Sequence, residues 1–156
     1  MPKNPYAAAL GSADPLKALS TTPRKIKALT SAWTGRHWQR SYAPGKWTAR
    51  QIVVHLAQTE LALTTRVRYG ASQENYVAQP FDQDAWLSLD AADGPTALDT
   101  YMALRRFNLA MFKGLAPKLR ARTFTHPEYG ALTSDWVMAQ LAGHEIHHLN
   151  QLKQIG

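Results

Sequence analysis

The strongest constraint on the fold is a helical repeat of apolar residues that begins directly after a helix-start signal. Thr48 and Gln51 are spaced as a capping box, in which each side chain satisfies a free backbone N–H of the first turn. Apolar residues then recur every three or four positions, the period of a helix with one buried face. A helix is therefore predicted over about residues 49–69, and this spacing places His55 on its apolar face.

Three other long segments carry helical signals. Pro95 suits the first turn of one helix, and Thr133 with Asp135 suits the start of another. No segment shows the alternation expected of a strand, so the chain is predicted to be an all-α four-helix bundle, with room for a short extra helix around residues 82–90. The other three long helices are expected at about residues 14–33, 96–115 and 134–154.

Two interruptions qualify this pattern. Thr22 precedes a proline and is biased away from helical geometry, so the first helix is expected to break near residues 20–23. Residues 1–13 are rich in Ala, Pro, Gly and Asn without a sustained period, which predicts a flexible tail. With 156 residues and 45% hydrophobic content, residues 14–156 are expected to form a single domain.

The composition limits the possible chemistry. The chain has no cysteine, which excludes disulfides, Cys-ligated zinc and iron–sulfur clusters. Any metal site must use His, Asp, Glu or water. No apolar run approaches the roughly 20 residues that span a bilayer, and the N-terminus lacks the layout of a secretory signal. We therefore expect a cytoplasmic protein with no membrane partner.

The net charge of +7 is concentrated in one part of the chain, since residues 1–59 carry nine Lys or Arg and a single acid, Asp14. A basic half can attract an anionic partner such as nucleic acid. The basic residues are scattered, however, and match no nucleic-acid-binding motif. A solvated surface is the favoured interpretation, and nucleic-acid binding remains an alternative.

Three of the six histidines fall within residues 144–148. His144 and His148 are one helical turn apart, about 40° around the axis and ~6 Å along it, so both imidazoles can reach one ion. His147 can replace His148, because a spacing of three also shares a face. The spacing of four is preferred, since it keeps Leu141, His144 and His148 on one stripe.

A third ligand is expected, because catalytic metal sites typically have three protein ligands and one open position. His55 is the best candidate, as the only other histidine on the inward face of a long helix. A buried histidine taken singly is more often a hydrogen-bonded core residue, but the pair at 144 and 148 reverses this preference. The predicted site is His55, His144 and His148.

The same segment satisfies H-E-x-x-H, the zinc metallopeptidase pattern in which the glutamate is a general base. Such peptidases usually take a third ligand downstream, but the eight residues after His148 contain no His, Asp or Glu. Glu145 also lies about 100° from His144 around the helix and is expected to face away from the metal. A peptidase is therefore only a minor alternative.

Other polar residues are weaker candidates. Arg105, Arg106 and Tyr129 can line a pocket that recognises an anion, although a charged face and a packed loop explain them equally well. Glu60 and Asp82 can support the metal ligands through hydrogen bonds, but exposed surface positions are expected for both.

The chain resembles the DinB/YfiT-like superfamily in two separated segments. In PGKWTARQIVVHLAQTE, a Pro-Gly-x-Trp-Thr turn opens a helix in which His55 matches a metal-binding histidine of the family. In HPEYGALTSDWVMAQLAGHEIHHLNQL, a His-Pro-x-x-Gly loop precedes a helix in which His144 and His148 match ligands and Gln151 matches a glutamine. FDQDAW and LRRFN extend the resemblance to about residues 15–155.

This resemblance implies a four-helix bundle, often homodimeric, with a three-histidine site for a divalent ion. Zn and Ni are favoured, and Fe is an alternative. Family members include thiol S-transferases that use bacillithiol, a mycothiol-dependent isomerase and proteins assigned as metal-dependent hydrolases. We therefore expect a metal-dependent transferase or hydrolase acting on a small molecule, with a low-molecular-weight thiol as a further candidate cofactor. A non-catalytic, metal-stabilised bundle is the alternative.

Overall fold

The computed structural model describes all 156 residues and contains four long helices with short elements between them. The four-helix bundle predicted from the sequence is confirmed, and the short helix expected around residues 82–90 is α5. None of the helices has both the length and the apolar character needed to cross a membrane. The elements are α1 (Ala7–Leu10), α2 (Pro15–Thr30), α3 (Gly35–Trp38), α4 (Ala49–Ser72), α5 (Gln83–Leu89), α6 (Gly94–Gly114), α7 (Pro117–Arg120), β1 (Thr123–His126), β2 (Gly130–Thr133) and α8 (Ser134–Leu152).

Side-chain caps fix where the long helices begin. Thr48 accepts from the backbone N–H of Gln51 at 3.2 Å while the Gln51 side chain accepts from the Thr48 N–H at 2.8 Å, so the predicted capping box is present. Thr133 caps α8 by accepting from the Trp136 N–H at 3.2 Å. Caps of this kind stabilise a helix by about 1 kcal/mol each. They act locally, which is why the sequence indicates these starts well.

A buried polar layer lies between two apolar clusters of the bundle. Helix α4 packs against α6 and α8, and α2 packs against the same two helices. On α4, for example, Ile52 and Leu56 belong to one cluster and Leu63 and Val67 to the other. Buried polar residues near the boundary of the two clusters on α4, α6 and α8 include His55, Thr59, Glu60, Arg105, Asn108, His144, Glu145 and His148.

The break expected in the first helix does not occur, because α2 runs from Pro15 through Pro23 to Thr30. Proline removes the N–H that would bond to the carbonyl four residues earlier, here that of Leu19. In the structure the Leu19 carbonyl accepts instead from the Arg105 guanidinium at 3.4 Å. A tertiary contact thus supplies a partner for the carbonyl that the proline leaves free.

The absence of strands was also a wrong expectation, since β1 and β2 form an antiparallel hairpin with Thr123 opposite Thr133 and His126 opposite Gly130. Each strand has four residues, too few for alternation to stand out in the sequence. Gly130 has φ +72°, a left-handed conformation that favours glycine at the end of the turn. The hairpin places His126 and Tyr129 beside the bundle.

Residues 1–13, for which composition predicts a flexible tail, pack against α8 in the structure. The Tyr6 ring lies edge-on to His144 with 4.9 Å between ring centroids. The Trp136 indole N–H donates to the Pro2 carbonyl at 2.8 Å. Gly143 permits the close approach, because a β-carbon there would collide with the Tyr6 backbone. The N-terminal segment therefore forms part of the surroundings of the histidines.

Candidate metal centre

The three histidines predicted from the sequence converge at one point in the polar layer. His144 Nε2 lies 2.9 Å from both His55 Nε2 and His148 Nε2. One ring nitrogen of each histidine can serve as a ligand, and these three nitrogens all lie within 4.8 Å of one another. The side chains are buried, with 2–5% of their residues' surface exposed. Helix α4 supplies His55, and one turn of α8 supplies the other two.

The protonation states suit metal ligation. Burial lowers the pKa of His55 to about 4 and that of His148 to about 3. The pKa of His144 is lowered well below its ordinary value, first by burial and then by the neighbouring imidazoles. All three rings are therefore neutral at pH 7, and each keeps a nitrogen lone pair. Neutral imidazole is the form that binds metals.

A hydrogen bond fixes the orientation of His148. Its Nδ1 donates to the Gln151 side-chain oxygen at 2.6 Å, which leaves the lone pair on Nε2 directed to the other histidines. The Gln151 amide nitrogen in turn donates to the Tyr42 hydroxyl at 3.1 Å. His147 is exposed, and its one hydrogen-bond partner is the Gln151 amide nitrogen at 3.1 Å. Of the two histidines left open by the spacing, it is thus His148 that joins the cluster.

Aromatic rings wall the cluster on two sides. Trp47 lies 4.9 Å from His55 between ring centroids and is stacked on His148 at 6.3 Å. Phe81 is stacked on His55 at 6.0 Å. Apolar walls hold the imidazoles in place and limit access of water. Three convergent, neutral imidazole nitrogens are a donor set that fits a divalent ion such as Zn, Ni or Fe.

A second polar cluster, formed by carboxylates and an arginine, lies beside the histidines. Arg105 donates to both Glu60, through Nε and Nη2, and Glu145, through Nη1 at 2.8 Å. Tyr101 donates to Glu145 at 2.6 Å, and Asn108 donates to Glu60 at 2.8 Å. Both carboxylates are 0% exposed. The expected surface position of Glu60 was therefore wrong, since α4 is covered on more than one side.

This cluster also bears on the peptidase alternative. The Glu145 carboxylate is engaged by Tyr101 and Arg105, so it is not placed as a general base for the histidine centre. Burial raises the pKa of Glu145 to about 8, although Arg105 and the Tyr101 hydrogen bond act in the opposite direction. Burial alone would lower the pKa of Arg105, but the neighbouring carboxylates raise it above its usual value. The H-E-x-x-H match thus consists of two histidines of the cluster and, between them, a glutamate that pairs with Arg105 and Tyr101.

A cavity of about 190 Å³ opens beside the histidines. Of the three residues proposed for an anion pocket, only Tyr129 lines it; Arg105 belongs to the buried cluster and Arg106 is exposed. Asp82 caps α5 and does not line the cavity. The lining residues with polar side chains include His55, His144, Arg66, His126, Tyr129 and Gln140.

Sequence reasoning missed Arg66 and His126 in this lining. The helical period alone contained a signal for Arg66, which follows His55 by 11 residues, close to three turns. His126 belongs to the His-Pro-x-x-Gly segment, but no role followed from that motif without the hairpin geometry. Both residues are buried, with 7% of Arg66 and 2% of His126 exposed.

Comparisons with known proteins agree with this fold. A family model described as DinB superfamily matches residues 18–152. A protein of Oceanobacillus iheyensis named "Putative metal-dependent hydrolase" is 28% identical over 142 residues, which cover 90% of this chain and 83% of that protein.

Solved structures give the same result. YfiT from Bacillus subtilis, described as "a probable metal-dependent hydrolase with an unusual four-helix bundle topology", superposes with a TM-score of 0.83 at 25% identity, covering 90% of this chain and 83% of YfiT. A mycothiol-dependent maleylpyruvate isomerase superposes with a TM-score of 0.74 at 10% identity, covering 88% of this chain and 59% of the isomerase. At that identity the second likeness concerns the fold alone.

Proposed function

The chain belongs to the DinB superfamily, and from its buried histidines we propose that it is a metal-dependent enzyme acting on a small molecule. His55, His144 and His148 would hold one divalent ion through their Nε2 atoms. The observation that carries the proposal is the convergence of these three nitrogens beside a cavity. Relatives at 28% and 25% identity that are named as metal-dependent hydrolases support it.

The reaction class follows from the donor set and the cavity. A divalent ion held by three imidazoles would supply Lewis-acid chemistry, which lowers the pKa of a bound water or thiol. The chain's own residues keep the imidazoles neutral by burial and hold His148 through Gln151. Trp47 and Phe81 limit the access of bulk water. Hydrolysis and thiol transfer both fit this arrangement, and because the chain lacks cysteine a thiol must arrive as a substrate.

Metal content measured by elemental mass spectrometry tests the site directly. The full chain is loaded with Zn²⁺ or Ni²⁺ and freed of excess ion. We expect about one ion per chain in the wild type, because the three nitrogens form one site. His55→Ala, His144→Ala and His148→Ala should each hold almost none. His147→Ala is the matched control, since it removes an exposed histidine of the same helix, and should bind as the wild type does. A metal-free wild type, or full loading of His148→Ala, would contradict the proposal.

Two further measurements separate the possible roles of the metal. If the ion is only a structural staple, chelation should unfold the chain, as followed by far-UV circular dichroism. If the centre is catalytic, the chelated chain should keep its helical signal and lose activity. Activity is assayed with an activated ester for hydrolysis. Transfer of L-cysteine to an aryl halide, in which sulfur displaces halide and a proton is released, tests the thiol reaction.

A further inference from the structure

Arg66 lies on the same stripe of α4 as His55. Eleven residues separate them, so the two side chains leave the helix within about 20° of each other and their Cα atoms are about 16 Å apart. Thr59, between them on this stripe, lines the cavity together with both. Side chains tilt toward the start of a helix, which brings the guanidinium back toward the histidines. The cavity thus extends from the histidine cluster toward a cation.

Arg66 is a buried cation without a carboxylate partner. It is 7% exposed, and none of the three ion pairs in the structure includes it. Its one hydrogen bond runs from Nη2 to the Gln79 carbonyl at 2.8 Å, although a guanidinium has five N–H donors. Burial lowers the pKa of Arg66 below its usual value, while the nearby Glu128 and two tyrosines act more weakly in the opposite direction. An unpaired buried charge is costly, so an anion that enters the cavity would be stabilised.

His126 provides a second donor in the same cavity. Its Nδ1 accepts from the backbone N–H of Glu128 at 3.2 Å, so in the neutral ring the proton is on Nε2. That Nε2 atom is buried and has no hydrogen-bond partner. Buried polar groups without partners are rare in native proteins, and one that lines a cavity points to a ligand.

The charges around the cavity favour an anion as that ligand. Glu128 is its only carboxylate and is exposed at the rim, whereas Arg66 is buried within. Tyr6 and Tyr129 also line the cavity. Arginine binds carboxylates in a bidentate geometry, which gives orientation as well as affinity.

We propose that Arg66 and His126 bind a terminal carboxylate of the substrate while the substrate's reacting group lies at His55 and His144. The proposal rests on the proposed function and adds a substrate class to it: an elongated acid whose carboxylate lies several bonds from the reacting group. Neither residue belongs to the histidine cluster, so carboxylate binding can be measured independently of metal binding.

The probes are 8-mercaptooctanoate and its primary amide, which share a thiol that can reach the ion and differ only at the far end. Calorimetric titration into the Zn²⁺-loaded full chain should show the acid binding about 10–100-fold more tightly, the usual range for a charge-assisted pair of hydrogen bonds. Equal affinities for acid and amide would overturn the proposal.

Variants test whether Arg66 causes the preference for the acid over the amide. Arg66→Gln keeps a donor for the Gln79 carbonyl and should reduce the acid-to-amide ratio to near one without changing metal content. Arg122→Gln is the matched control. Like Arg66, Arg122 donates to a backbone carbonyl, that of Ala71 at 3.0 Å, but it does not line the cavity. Its ratio should equal that of the wild type. An unchanged ratio in Arg66→Gln would overturn the proposal.

Two milder variants remain informative if Arg66→Gln fails to fold. His126→Asn keeps an acceptor for the Glu128 N–H but withdraws the buried donor, and should lower the ratio several-fold. Glu128→Gln removes the competing carboxylate and should raise it several-fold. If neither variant changes the ratio, the carboxylate does not bind here.

The metal-free chain separates this proposal from the proposed function. Octanoate should still bind more tightly than octanamide after chelation, because Arg66 and His126 remain in place. This preference would support the carboxylate site whether or not the metal proposal holds. Its absence with and without metal would overturn the carboxylate site alone.

Discussion

The two halves of the buried polar layer satisfy their hydrogen bonds in different ways. In the cluster of Glu60, Arg105 and Glu145, called here the carboxylate cluster, Arg105 pairs with both acids, and each acid also accepts a hydrogen bond from Tyr101 or Asn108. In the histidine cluster, three neutral rings bring nitrogen atoms together at 2.9 Å. Each neutral ring has one N–H and one lone pair. Because the N–H of His148 is used on Gln151, the two N–H groups that remain cannot satisfy every lone pair that meets here.

The difference teaches what each cluster is for, even though the two are interleaved in sequence. His144 and Glu145 are neighbours on α8, and His55 and Glu60 are five residues apart on α4. The carboxylate cluster joins α4, α6 and α8 through ion pairs and hydrogen bonds that the protein itself supplies, and Oε1 of Glu145 is its one carboxyl oxygen without a partner. The histidine cluster has nitrogen lone pairs for which the protein supplies no partner. Three predictions test this difference between the clusters, in order of decreasing expected effect.

Arg105→Met should destabilise the fold by about 3–5 kcal/mol, because it leaves Glu60 buried without its cation and removes a donor to Glu145. Urea unfolding measures the free energy of unfolding. Arg106→Met is the matched control, an exposed arginine one position on, and should change stability by less than about 0.5 kcal/mol. A loss for Arg105→Met as small as that of the control would show that the carboxylate cluster does not hold the bundle together.

The two clusters should respond to acid in opposite directions when the chain is metal-free. The folded pKa of Glu145 is raised to about 8, so the folded state binds its proton first and stability increases as pH falls from 8 toward the ordinary value near 4.5. The folded pKa values of His55 and His148 are lowered to about 4 and 3, so stability is lost as pH falls below their ordinary value of 6.5. Each group contributes at most about 1.4 kcal/mol per pH unit.

The unfolding temperature of the chelated chain should therefore rise from pH 8 to about 6.5 and fall below it, where the histidines outnumber the glutamate. Scanning calorimetry across this range measures it. Glu145→Gln should flatten the upper limb, and His55→Gln should make the lower limb shallower. A profile that is unchanged by His55→Gln would mean that His55 does not stay neutral in the folded state.

Gln151→Leu should weaken metal binding about 10–100-fold, or about 1.4–2.7 kcal/mol, because it removes the hydrogen bond that orients His148. Competition with a chromophoric chelator measures the dissociation constant. Gln154→Leu, an exposed position one turn further along, serves as the control and should bind metal as the wild type does. Equal affinities of the two variants would indicate that the Gln151 hydrogen bond does not affect the centre.

The sequence by itself determined the features that depend on local geometry. Caps such as Thr48 with Gln51 fix helix starts within one turn, and the spacing of His144 and His148 places two imidazoles on one face. The apolar stripe of α4 put His55 inward. These signals act over a few residues, and the period of the helix carries them without any knowledge of the neighbouring helices.

Only the tertiary structure decided the rest, because the deciding contacts join residues far apart in the chain. Arg105 reaches the Leu19 carbonyl across 86 positions, and this contact accompanies the uninterrupted course of α2 past Pro23. The same arginine meets Glu60 and Glu145 on two other helices, and the pattern of a single helix does not predict these contacts. His55 meets His144 across 89 positions, and the cavity that joins them to Arg66 and His126 exists only where α4, α8 and the hairpin pack together. Tertiary packing determines which helix faces are buried. Burial in turn determines the pKa of a side chain and whether it finds a hydrogen-bond partner.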